Sequence, residues 1–309
     1  MFILILPVLF SIVLGYILRK SNFLTDAMID GFKKIVINVT LPALLLTAFT
    51  SIKFQQKYWA VFLAIFLACG LLLVLASGLA KLFKIESPYF PFLITGFEAG
   101  MIGYALYASF YDGSVAEFAV IDVGQVLFVF IALVPMVMMT GGMHQGKTGI
   151  SDSLKSALKS PVVWAIIIGV LLSAFGVSKF AKKEWYQAIE KILNYISLPT
   201  SFLICLVIGS GLKFSFANMK NELITVGTRL VLTLLIAFFV KAVVLTPLKL
   251  TKSLNDALFI MFLLPGPFVI PAFMQNASME EKTYVSNTLS LNTLVSLLAI
   301  FIAVGILKG

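Results

Sequence analysis

A glutamate stands in the middle of an apolar run, within Thr95-Gly-Phe-Glu-Ala-Gly-Met-Ile-Gly103. An unpaired charge at the centre of a bilayer costs several kcal/mol, so Glu98 is expected to handle a proton or ion, or to touch a ligand. Gly96, Gly100 and Gly103 weaken the helix around it and allow close backbone approach, as an unwound crossover requires. A second such place is Leu264-Pro-Gly-Pro-Phe-Val-Ile-Pro271, where Pro265, Pro267 and Pro271 forbid a continuous helix around Gly266. Two interrupted helices that cross would gather half-helix ends, with their partial charges, around one solute cavity.

Polar residues of the spans that follow occupy comparable places: Asp122 and Gln125 after the first break, Asn287, Ser290 and Asn292 after the second. Glu98, Asp122 and Gln125 are the expected coupling residues, for H+ or Na+. Asp122 is placed at the start of its span, where a helix N-terminus favours negative charge. Asn38, Tyr104 and Asn292 join the residues of the two breaks as expected substrate contacts. The competing reading is that such side chains only join helices, by bonds of about 0.6 to 2 kcal/mol. Arg229 and Lys241 lie about two turns from span ends, close enough for their heads to snorkel to the interface, and their roles stay open.

Other chemistry is poorly supported. Gly141-Gly-Met-His-Gln-Gly-Lys-Thr148 satisfies a phosphate-loop pattern, but it follows an apolar run long enough to span a membrane, with no parallel-sheet pattern around it. It reads as a glycine-rich, basic helix exit. His144 lies there with no cysteine or carboxylate at ligand spacing. Cys69 and Cys205 fall in apolar spans, where a thiol behaves as a small hydrophobe. No enzyme, metal site or cofactor is expected. The net charge of +9 is spread over short loops rather than gathered in a patch, which argues against a nucleic-acid partner.

Composition makes the lipid bilayer the solvent. With 60% apolar and 12% charged residues and a mean hydropathy of +1.04, the chain has too little polar surface to cover a soluble globule. Ten spans are expected, at 2–18, 32–50, 58–82, 89–110, 117–142, 161–177, 187–211, 223–247, 255–275 and 285–307. They form two repeats of five, 1–143 and 161–309, joined by a loop at 144–160 whose Ser151–Lys159 stretch reads as a short interfacial helix. The duplication shows in Asn38-Val-Thr-Leu-Pro42 against Tyr195-Ile-Ser-Leu-Pro199, read as matching interruptions, and in Pro7 and Gly15 against Pro161 and Gly169. An odd number of spans per repeat inverts the second copy, an architecture of alternating-access carriers. A small excess of Lys and Arg after odd-numbered spans favours both termini outside. The expected location is a bacterial cytoplasmic membrane, with a homodimer as a further expectation.

With these residues in view, the chain resembles the auxin efflux carrier family of the bile acid/sodium symporter-like superfamily. The resemblance rests on Leu6-Pro-Val-Leu with Gly15-Tyr-Ile-Leu-Arg-Lys, Asn38-Val-Thr-Leu-Pro42-Ala-Leu-Leu-Leu, Gly100-Met-Ile-Gly103 and the proline-rich ninth span. It implies an all-α membrane protein with crossed, broken helices 4 and 9. It further implies a scaffold of spans 1, 2, 6 and 7, a transport domain of spans 3–5 and 8–10, and small organic anions as substrates.

The chain departs from the family pattern Asn-Thr-Gly-Phe-x-Gly-x-Pro. Glu98 replaces the asparagine and Ala105 the proline. A fixed carboxylate repels an anionic substrate, so Glu98 is expected to be protonated, cation-bound or paired with a base when substrate binds. The alternatives are a cation or zwitterion carrier with Glu98 as counter-charge, and an uncoupled channel or receptor on the same fold.

Overall fold

The computed structural model describes residues 2–51, 55–111, 115–140, 161–211, 219–274 and 277–308; the loop at 144–160, the phosphate-loop look-alike and His144 lie outside them. Every regular element among the described residues is helical. In chain order these are α1 (Phe2–Lys20), α2 (Asp26–Ile35), α3 (Leu41–Ser51), α4 (Tyr58–Phe83), α5 (Phe90–Ile94), α6 (Tyr104–Phe110), α7 (Ala116–Phe128) and α8 (Val134–Thr140). There follow α9 (Pro161–Ala174), α10 (Glu184–Ser197), α11 (Thr200–Gly211), α12 (Lys220–Val240), α13 (Lys252–Leu263), α14 (Ile270–Phe273) and α15 (Met279–Lys308).

Among the described residues, six stretches are long and apolar enough to cross a membrane: Asp26–Thr50, Tyr58–Phe83, Ala116–Thr140, Glu184–Gly211, Lys220–Leu245 and Met279–Leu307. Several begin earlier than hydropathy suggests, because capping carries the helix beyond the apolar core. Thr25 accepts a hydrogen bond from the Met28 N–H at 3.3 Å and starts α2 at Asp26 rather than 32. Ser278 and Glu281 cap α15 reciprocally, the Ser278 N–H donating to the Glu281 carboxylate at 2.7 Å and the Glu281 N–H to the Ser278 hydroxyl at 3.1 Å. The outward face of α4 is an apolar stripe, Leu63, Leu67, Leu71 and Val74, while Val61, Ile65, Ala68 and Leu72 are buried behind it. A stripe of that kind is stable only against lipid or another apolar surface.

The first of the matching Leu-Pro phrases does not break its helix, whereas the second falls at the turn that separates α10 from α11. Asp26–Thr50 is one stretch, widened by a π-helical turn at Val36–Thr40, and the turn of the second phrase is at Leu198–Pro199. Proline lacks an N–H and its ring pushes on the carbonyl four residues back. A wider turn accommodates both, here with the Leu41 N–H donating to the Val36 carbonyl. The π turns at Val36–Thr40, Val129–Leu133 and Lys241–Leu245 each end two residues before a proline, Pro42, Pro135 and Pro247. A fourth, Ala99–Gly103, ends two residues before Ala105.

The chain forms two compact units. The first comprises the described residues within 1–58, 100–120 and 157–212. Glycines join its helices at backbone distance: a Cβ on Gly15 would strike the Leu206 carbonyl and one on Gly209 the Ile12 carbonyl, so α1 and α11 pack main chain to main chain. A Cβ on Gly169 would lie 2.5 Å from that of Phe49, seating α9 on α3. The two glycines that repeat between the halves, Gly15 and Gly169, thus each receive a helix of the opposite half. The second unit comprises the described residues within 59–99, 121–156 and 213–309. There Gly124 lets α7 press on the Phe62 carbonyl of α4.

The proline rule is testable where the chain lacks its proline. Ala105→Pro is expected to cost clearly less thermal stability in detergent than Leu106→Pro one position on, for which an interior helix value of about 3 kcal/mol or more applies. Equal losses would show that the wide turn at Ala99–Gly103 does not accommodate a proline.

Candidate functional site

The helices are interrupted at both glycine- and proline-rich places, and the two interruptions meet within the second unit. In the first, α5 ends at Ile94, Thr95 is extended, and Gly96 takes φ +74°, a left-handed backbone that favours glycine. Space imposes the same choice, since a Cβ on Gly96 would lie 3.1 Å from Pro267 and 3.2 Å from Val129. In the second, α13 ends at Leu263 and the chain runs without helix from Leu264 to Val269. Gly266 brings this segment against the first, where a Cβ would sit 2.9 Å from the Leu93 carbonyl.

Unwound backbone inside a membrane must find partners, because an unsatisfied N–H or C=O costs several kcal/mol. Arg229, from the middle of α12 and 2% exposed, supplies the carbonyls. Its Nη1 donates to Leu93 at 3.0 Å, Nη2 to Gly96 at 2.7 Å and to Leu264 at 2.9 Å, and Nε to Leu264 at 3.3 Å. The guanidinium also lies over the Phe97 ring, 5.2 Å from its centroid. One side chain therefore serves acceptors from both breaks.

Glu98 ties the breaks directly. Its backbone N–H donates to the Pro265 carbonyl at 2.9 Å, and its carboxylate accepts from the Phe268 N–H at 2.6 Å. Pro265 and Pro267 reduce the demand for partners, since neither has an N–H to satisfy. The donors left between and after them are those of Gly266 and Phe268. The Gly266 N–H goes to Asn292 Oδ1 at 2.9 Å.

Gln125 treats the first break as Asn292 treats the second. Its amide closes a ring with Phe97, accepting the backbone N–H at 3.3 Å and donating to the carbonyl at 3.2 Å, and its Nε2 also donates to Asp122 at 3.0 Å. Asp122 is buried, but not at a helix start: α7 begins at Ala116, which places Asp122 in its second turn and removes the N-terminal explanation for its charge.

The structure thus gathers Gly96, Glu98, Asp122, Gln125, Pro265, Gly266, Pro267 and Asn292 around the breaks. Other expected contacts lie elsewhere. Asn38 belongs to the first unit, is exposed, and donates to the Lys34 carbonyl of its own helix at 2.8 Å. Gly100, Gly103 and Tyr104 also belong to the first unit, where the fully buried Tyr104 ring packs edge-on against Phe118. Pro271 is exposed in the first turn of α14. Ser290 donates to the Ser286 carbonyl of its own helix.

Of the two basic residues whose roles stood open, Lys241 sets its ammonium over the Phe259 ring at 5.4 Å. Arg229 turns inward instead of snorkelling, because the carbonyls of two broken helices give it better partners than the interface. A sequence signal existed: only two of the 23 basic residues are arginine, and one of them lies mid-span. A polar cavity of about 850 Å³ in the same unit is lined by Lys84, Glu86, Glu222, Glu281, Tyr284 and Asn287 among others, and by none of the residues at the breaks.

Removing one partner at a break should expose its backbone group. Asn292→Ala is expected to cost roughly 1–3 kcal/mol, the penalty for an orphaned buried donor, whereas Asn292→Asp, compared at an acid pH that keeps the new carboxyl neutral, retains an acceptor for the Gly266 N–H and should cost less. Unfolding in mild detergent measures both, and equal losses would refute the role given to the Asn292 oxygen. No curated protein matches the chain. Apolar helices that meet at two interruptions lined by polar side chains accord with the family comparison, whose membrane transport protein model matches residues 1–304. This integral membrane protein belongs to that family, the auxin efflux carriers.

Proposed function

We propose that this transport protein is a secondary carrier of a small organic anion, a carboxylate, working by alternating access. In this reading its ten spans form two inverted repeats, with spans 1, 2, 6 and 7 as scaffold and spans 3–5 and 8–10 as the transport domain. Glu98 links transport to a proton or a sodium ion. The observation that carries the reading is the contact of the Glu98 carboxylate with the Phe268 N–H at 2.6 Å.

That contact puts a built-in carboxylate on a donor suited to a substrate carboxylate. Phe268 and Val269 are partly exposed, unlike the buried Pro265, Gly266 and Pro267 before them. While Glu98 is ionised it holds the N–H and repels an anion. Once it takes up a proton, or a cation neutralises it, its hold on that donor weakens and the repulsion goes. Anion binding and charge neutralisation at Glu98 are then one event, which is what coupling requires.

A second reading has one observation in its favour. Glu86, Glu222, Glu280 and Glu281 line the polar cavity of the same unit, with Lys84 as their basic neighbour. That balance suits a cationic or zwitterionic solute, which the cavity glutamates would hold first and for which Glu98, outside the cavity lining, would serve as counter-charge at the breaks. Competition among small carboxylates, amino acids and amines in a thermal-shift screen separates the two readings.

The test is uptake of labelled mono- and dicarboxylates by proteoliposomes, with imposed pH and sodium gradients. Saturable uptake with exchange of preloaded solute is expected of the wild type, and non-saturating flux would favour a channel. Glu98→Gln is expected to bind carboxylate and to lose the gradient dependence. Unchanged gradient dependence in this variant would remove Glu98 from the coupling step.

A further inference from the structure

The groups around Arg229 are of the kind that can also hold a metal cation. Three main-chain carbonyls, of Leu93, Gly96 and Leu264, converge on the guanidinium at 2.7 to 3.3 Å. They come from the C-terminal ends of α5 and α13, where aligned peptide dipoles leave partial negative charge. The face of Phe97, itself electron-rich, closes one side. Carbonyls of unwound membrane helices, backed by half-helix C-termini, are the ligand set with which broken-helix carriers hold sodium.

The choice of arginine fits the same geometry. A lysine ammonium is a point charge on a flexible stem with three donors, whereas the planar guanidinium offers five donors in a fixed fork and meets carbonyls from two chain segments at once. The residue is buried at 2% exposure, so its charge stays with the carbonyls rather than in water.

We propose that Arg229 is a tethered cation that permanently fills the carbonyl cradle at the meeting of the two broken helices, so that this protein binds and carries its solute without sodium. The proposal rests on the carrier reading for its functional consequence. Of the two coupling ions open to Glu98, it leaves the proton.

The test uses the full chain in detergent, with sodium, choline and ethylguanidinium chlorides at millimolar concentration as probes. The wild type is expected to melt at one temperature in sodium and in choline, and to bind no radiolabelled sodium. Arg229→Ala opens the cradle. It should melt lower in choline, rise by about 3 °C or more in sodium or ethylguanidinium, and bind labelled sodium. A merely structural arginine predicts the drop without any cation-specific recovery. Arg229→Lys keeps a tethered charge with fewer donors. It should stay indifferent to sodium; if the alanine variant does not fold, Arg229→Gln, which removes the charge but keeps much of the side chain, should show the same sodium-specific rise, and its absence there overturns the proposal.

Sodium stabilisation of the wild type, a folded Arg229→Ala that answers to neither cation, or sodium binding by Arg229→Lys would each overturn the proposal. Melting and sodium binding are read without a transported solute. Their failure is therefore distinct from failure of the carrier reading, which shows as absence of saturable exchange.

Discussion

Four hydrogen bonds from one buried guanidinium to main-chain carbonyls hold together the part of the molecule where helices stop. In water, loose carbonyls at a helix end are solvated at little cost; in hydrocarbon they are not, and a helix breaks only where something else takes its place. Arg229 takes that place for both interruptions at once. The Leu93, Gly96 and Leu264 carbonyls are drawn to one point, and this brings Glu98 within reach of Phe268 and Gly266 within reach of Asn292.

Around that point the remaining groups follow a division of labour. Glycine appears where the chain must turn left-handed or come close, at Gly96 and Gly266. Proline appears where a donor would be hard to satisfy, at Pro265 and Pro267. Amide side chains from the helices that follow each break complete the set, Gln125 for the first and Asn292 for the second. The distances in sequence are similar, from Phe97 to Gln125 and from Gly266 to Asn292, so each half supplies its own break with a side chain about one span later. The exception is Glu98, which crosses from one break to the other and is, with Ala105, one of the two departures from the family pattern.

Much of this was legible from residue types. Gly96 and the three prolines after Leu264 mark the interruptions, because their backbone preferences hold in any fold. Gln125 and Asn292 stood among five polar residues at comparable places after the interruptions, and the sequence did not separate them from Asn287 and Ser290. Helix starts were less legible: hydropathy follows the hydrocarbon core, whereas Thr25 and the Ser278–Glu281 box extend α2 and α15 beyond it. The first Leu-Pro phrase, expected to interrupt its span as the second does, leaves the helix whole for a different reason. A proline in a membrane helix signals a local disturbance, and whether this becomes a break or a wide π turn depends on whether other groups stand ready for the freed carbonyls. At Pro42 the helix resolves the disturbance within itself, as it does at Pro135, whereas at Pro247 the chain has already left the helix in a turn.

Taken alone, the sequence determined that the chain lives in lipid, where its helices cannot run on, and which side chains are too polar to sit there idle, since these follow from composition and backbone chemistry. Only the tertiary structure decided that Arg229 faces inward and joins carbonyls of residues more than a hundred positions away in the chain. It also decided that Asp122 is a mid-helix neighbour of Gln125 and that Asn38 bonds the Lys34 carbonyl of its own helix. The reason is physical: a buried polar group takes whichever partners the packing of distant segments brings within about 3 Å, and sequence spacing carries no record of that distance.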